Sequence, residues 1–78
     1  MRAKYKHDGF NSTVYDQVIC EDNIVVTVRT YRSSFYDYAP DTEVKVCPTN
    51  SEARRIFHSL CSRFEDEKFD CVYKEASL

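Results

Sequence analysis

Residues 49–64 read TNSEARRIFHSLCSRF, and they carry the strongest helical signal in the chain. Thr49 and Glu52 have capping-box spacing, in which the hydroxyl takes an orphan backbone N–H and the carboxylate reaches back to another. Ala53, Ile56, Phe57, Leu60, Cys61 and Phe64 then recur on one stripe, with Arg55, Ser59 and Ser62 opposite. Glu65-Asp66-Glu67 puts negative charge at the helix's negative end, so the helix is expected to fray there. One amphipathic helix needs a surface to cover, and the rest of the chain has to supply it.

The flanking segments read as strands. Residues 13–20, TVYDQVIC, are β-branched and aromatic, and Glu21-Asp22-Asn23 supplies a polar turn after them. Residues 24–31, IVVTVRTY, place Ile24, Val26 and Val28 on one face and Val25, Thr27, Arg29 and Tyr31 on the other. Ala39-Pro40-Asp41-Thr42 suits a turn, and EVKVC at 43–47 follows as a further strand. Residues 69–74 alternate Phe69, Cys71 and Tyr73 against Asp70, Val72 and Lys74. The first nine residues form a short strand or arm that closes at the turn signal Asp8-Gly9. The expected fold is α+β: an antiparallel β-meander with one helix on one face and a C-terminal strand, in the order β-β-β-α-β, with room for an extra N-terminal strand. The last strand should return parallel to the strand at 43–47, by a right-handed crossover if both share a sheet. No repeat, linker or low-complexity tract divides residues 1–78, so a single domain is expected.

Composition narrows the function. A chain of 78 residues with net charge −2 lacks the basic excess of a dedicated duplex-DNA binder. Gly9 is the only glycine, which excludes glycine-rich phosphate cradles and dinucleotide fingerprints. The charged start MRAKYKHDGF is no secretory signal and no segment is apolar for long enough to span a bilayer, so a cytoplasmic protein with reduced thiols is expected if the chain is complete from Met1.

The cysteines do not form a C-x-x-C pair. Cys47 sits just before the helix and Cys61 fourteen positions later on it, which holds them roughly 20 Å apart, too far to share an ion. His58, Cys61 and Cys71 are the one conceivable three-ligand cluster, set against buried apolar thiols as the ordinary reading. In an oxidising compartment, Cys20–Cys47 and Cys61–Cys71 would be the first disulfides to test. Cys61 points along the buried stripe and is not activated there, His58 is a boundary side chain and His7 a solvated residue of the arm. No catalytic residue, metal or cofactor is expected.

The remaining feature is RTYRSSFYDYAPD at 29–41, where Tyr31, Phe35, Tyr36 and Tyr38 crowd together. Tyrosine offers large contact area with few rotatable bonds, and serine adds adaptable hydrogen bonding. Arg29 and Arg32 add the residue type that accompanies tyrosine at binding hot spots. The competing reading is that these rings cap an undersized core. Arg29, Tyr31, Arg32, Phe35, Tyr36, Asp37 and Tyr38 are therefore the candidate partner-binding residues, joined on the helix-free face by Thr27 and Lys45 from strand parity.

In size, element order and composition, carried by TVYDQVIC, IVVTVRTY and SEARRIFHSLCSRF, the chain resembles the small phage-encoded inhibitors of host defence, anti-CRISPR proteins among them. The resemblance spans the whole chain without a diagnostic motif and transfers no functional residue. It implies a non-enzymatic module that docks on and blocks a larger protein or complex. The alternatives are single-stranded nucleic-acid binding, with Arg29, Arg32, Lys4 and Lys6 on phosphates, and a small metal-stabilised domain. So short a chain could also form a symmetric dimer through its exposed sheet face.

Overall fold

Arg2, Lys4 and Lys6 alternate with Ala3 and Tyr5, a period of two that fits a half-buried strand. In the computed structural model, which describes residues 1–36 and 38–76, these residues form a full strand, β1 (Arg2–Gly9). It is followed by β2 (Ser12–Glu21), β3 (Ile24–Ser33), β4 (Asp41–Val46), the helix α1 (Asn50–Asp66) and β5 (Asp70–Glu75). The extra N-terminal strand is thus part of the fold. It runs through Gly9, and the chain turns at Phe10-Asn11, with Asn11 in the left-handed region at φ 61°.

The five strands make one open sheet in the order β4-β3-β2-β1-β5, every neighbouring pair antiparallel. β5 points the same way as β4, as expected, but it lies at the far edge with three strands between them. The helix spans that gap across one face. β5 pairs with β1 through an irregularity at Lys4/Tyr5, and its exposed Cys71 departs from the expectation of a buried thiol. Cys20, Cys47 and Cys61 are buried, and all four cysteines are free.

The helix buries Ala53, Phe57, Cys61 and Phe64 against Ala3, Tyr5, Val18, Cys20 and Val25 of the sheet. Ile56 and Leu60 of the expected stripe pack at the margin of this cluster. Thr49 caps the helix by accepting from the Glu52 N–H at 3.1 Å. The other half of the capping box is absent, because the Glu52 carboxylate is engaged by Arg55 one turn on.

At the other end the backbone closes a Schellman arrangement. Phe69 N–H donates to Phe64 O at 3.0 Å and Lys68 N–H to Glu65 O at 3.1 Å, while the Phe64 and Phe69 rings meet at 5.3 Å. The acidic run ends the helix close to where its charge predicts. Lys74 and the Tyr5 hydroxyl both donate to Glu65, at 3.2 and 3.0 Å, and hold its carboxylate below the usual range. Lys68 occupies the left-handed position, φ 65°, where a β-carbon is strained and glycine is favoured. Lys68→Gly should therefore raise the thermal midpoint by roughly 3–6 °C, after the extra unfolded-state entropy of glycine is subtracted. A differential scanning calorimetry trace with no upward shift would contradict the strain.

Candidate functional site

The polar turn after β2 sets which side of β3 meets the helix. Glu21 stands opposite Ile24, so Cys20 faces Val25, Val18 faces Thr27 and Asp16 faces Arg29. Val18 and Cys20 lie under the helix, and Val25 joins them there. Thr27, Arg29 and Tyr31 share that side by alternation, and Lys45 follows because it pairs with Val25. The expectation that these four residues lie on the helix-free face is therefore corrected.

Arg29 has a structural task. Its Nε donates to Asp16 Oδ1 at 2.8 Å and a terminal nitrogen donates to Oδ2 at 3.1 Å. Asp16 is the buried charged residue of the sheet, and this bidentate pair supplies its counter-charge. The Asp16 hydrogen bond, with a smaller contribution from Tyr31, holds the Arg29 guanidinium above its already high range. Beyond the pair, the helix stops short of β4. A groove opens between Ile56, Leu60 and Arg63 on one wall and Thr27, Glu43 and Lys45 on the other, with Tyr31 at its end.

The seven predicted binding residues consequently divide. Arg29 is committed to Asp16, and Tyr31 lines the groove. Arg32 points to the opposite face, where its guanidinium sits 5.8 Å from the Tyr15 ring. Phe35, Tyr36 and Tyr38 stand out from the β3–β4 connection with 71%, 66% and 53% of their surface exposed. Tyr38 contacts Tyr31 edge-on at 5.8 Å and Tyr36 at 6.0 Å, so the three tyrosines form one cluster. Asp37 lies outside the described residues. The core-capping alternative does not describe Phe35, Tyr36 or Tyr38.

The helix-free face of the sheet holds the Ile24, Val26 and Val28 side of β3 instead. Ile24 pairs with Val46 and Val26 with Val44, while Ile19 and Val28 extend the same side. This aliphatic strip is open at its β4 end, where Val44 is 60% and Val46 68% exposed. The other half of the face is polar and aromatic. Lys4 Nζ lies 4.9 Å from the Tyr15 ring, Arg2 lies 5.9 Å from the Tyr73 ring, and Gln17 donates to the Tyr73 hydroxyl at 2.6 Å. Acids neutralise part of this half, since Arg2 pairs with Glu75 at 2.9 Å and Lys6 with Asp8 at 3.6 Å.

The histidines and thiols do not assemble a reactive centre. Among the described residues no three His, Cys, Asp or Glu side chains converge as a metal site, so the His58–Cys61–Cys71 cluster does not form. His58 stands at the boundary, edge-on to Phe57 at 5.4 Å, whereas His7 is stacked on Phe69 at 4.8 Å rather than merely solvated. Burial pushes the Cys61 thiol up, the opposite of nucleophile activation. No helix among the described residues is long and apolar enough to cross a membrane.

The chain matches no protein-family model, no curated protein and no solved structure.

Proposed function

We propose that this chain is a non-enzymatic protein-binding module, a small cytoplasmic inhibitor that docks on a larger protein or complex and blocks its working surface. The phage-encoded inhibitors of host defence, including anti-CRISPR proteins, are the class it resembles. The observation that carries the reading is the aliphatic strip Ile24, Val26, Val44 and Val46 on the uncovered face. Contiguous exposed apolar surface is uncommon on monomeric proteins and marks sites that are covered in use. Phe35, Tyr36 and Tyr38 project from the connection between the same two strands and supply the ring-bearing anchors that dominate interface energies. The relevant surface thus combines strip and loop, with Arg29 left out.

Affinity capture from the native host tests this. Wild-type chain should retain a partner that Tyr36→Ala, Tyr38→Ala and Ile24→Glu each lose. These variants should keep thermal midpoints within a few degrees of wild type, because all three side chains are substantially exposed. A partner still held at full occupancy by all three variants would refute the surface.

One observation favours a second reading, single-stranded nucleic-acid binding on the β1–β2 half of the face. Lys4 and Arg32 both sit over Tyr15, so a ring suited to base stacking already has cations beside it. The neutralising Asp8 and Glu75 weigh against it. Oligonucleotide affinity should then fall steeply with salt, and no gel shift at low salt would remove this reading.

A further inference from the structure

We propose that the outer edge of β4 is a self-association surface. Two copies of the chain pair their β4 strands antiparallel, Val44 opposite Val44 of the second copy, and extend the five-stranded sheet into the partner's. This goes beyond the docking function, and it uses the edge of the sheet rather than its face.

β4 is the terminal strand of the sheet, and all six of its residues are exposed. Just beyond it, Cys47 N–H donates to Asn23 O at 2.7 Å. Antiparallel ladder bonds recur at alternate residues, so the peptide groups of Lys45 and Glu43 turn inward to β3. Those of Thr42, Val44 and Val46 turn outward, a free template for another strand. The opposite edge is less inviting. β5 meets β1 through a register shift, and its Lys74 and Glu75 are engaged by Glu65 and Arg2.

Charge selects the occupant. Edge charges ordinarily deter pairing, and β4 carries Glu43 and Lys45 side by side on its helix-facing side. Neither is held in an ion pair within the single copy among the described residues. With Val44 on the two-fold axis, Glu43 faces Lys45 of the second copy and Lys45 faces its Glu43. Shifting the axis to Glu43 or to Lys45 sets like charges directly opposite, which is unfavourable. The same central register hydrogen-bonds the outward peptide groups of Thr42, Val44 and Val46. It also joins the two aliphatic strips through Val44 and Val46.

Sedimentation velocity of the full chain tests the register. Wild type should dimerise, and Glu43→Lys or Lys45→Glu should each weaken dimerisation on the order of tenfold or more, since two symmetry-related pairs become repulsive. The double exchange Glu43→Lys/Lys45→Glu should restore the dimer. In a Cys71→Ser background, Val44→Cys should cross-link under mild oxidation, because directly opposite hydrogen-bonded residues lie about 5.5 Å apart, within disulfide reach. Circular dichroism confirms that each variant is folded. A wild type that stays monomeric at submillimolar concentration, single reversals without effect, or a double exchange no better than the singles would each overturn the proposal. Glu43→Lys and Lys45→Glu leave the aliphatic strip and the exposed rings of the docking surface untouched, so a failed dimer and a failed partner capture are separable results.

Discussion

Phe57→Ala is expected to destabilise the chain by about 3–5 kcal/mol, lowering its thermal midpoint by more than about 10 °C. Phe57 is completely buried at the middle of α1, and among the described residues the cluster it joins has only ten buried members, three of them cysteines. A domain of this size has net stability of roughly 4–12 kcal/mol, and truncating a buried phenylalanine typically costs about 3–5 kcal/mol through lost transfer energy and the cavity left behind. Collapse of the site cannot recover much, because Ala53 and Cys61, one turn to either side on the same stripe, are small. Phe10→Ala is the matched control: Phe10 is 95% exposed at the β1–β2 turn, and its loss should change stability by less than about 0.5 kcal/mol. Urea titrations of the two variants should separate widely. Equal midpoints would mean that the core is not centred on the helix.

Alkaline pH should unfold the protein through Tyr5. Its ring is sealed under the helix against Phe64 at 5.3 Å, with its hydroxyl 3.0 Å from Glu65 Oε1. Burial, then the neighbouring Cys61 thiol and the Glu65 carboxylate, push the phenol far above its ordinary value of 10.0. A raised folded-state pKa means that the folded protein keeps a proton which the unfolded chain releases. Stability from this group is accordingly intact below about pH 10 and falls above it, by roughly 1.4 kcal/mol per pH unit. Cys61, displaced upward from 9.0 mainly by burial, adds loss in the same direction beginning about a unit earlier. Tyr5→Phe deletes one hydrogen bond, costing about 1 kcal/mol at neutral pH. It also removes one titrating proton, so its stability profile should be shallower above pH 10 and approach the wild-type curve. Parallel profiles in denaturant titrations from pH 8 to 11 would sink this account.

The helix was legible because its signals are local: a cap, a stripe and an acidic end all lie within residues 49–67. The strands were legible from alternation. What the sequence reading missed was the side of the sheet on which the helix settles, and that single parity choice moved Arg29 inward and Val26 outward. IVVTVRTY is apolar on both faces over its first half, so β3 alone cannot choose. The decision rests with β1, whose lysines alternate with Ala3 and Tyr5, and it reaches β3 through β2, where Ala3 meets Val18 and Val18 meets Thr27. Read as a short strand or arm, residues 1–9 carry that parity without being assigned to a face. A second clue was available: a turn that sets Glu21 opposite Ile24 also sets Asp16 opposite Arg29, an acid and a base that match across strands. Whether the rings of Phe35, Tyr36 and Tyr38 face outward or cap the core is open from composition alone. The structure leaves all three more than half exposed, because the helix covers the β2–β3 part of the sheet and does not reach the β3–β4 connection.

The placement of β1 between β2 and β5 brings residues from the two extremities of the sequence together, as Arg2 and Glu75 do at 2.9 Å. Contacts so distant along the chain form slowly, whereas the β2–β3 ribbon can zip up from its own tight turn. During translation, the first strand emerges long before the last. Its bare flank stays open until residues 70–75 leave the ribosome, and that interval is when the nascent chain is most prone to misassociation.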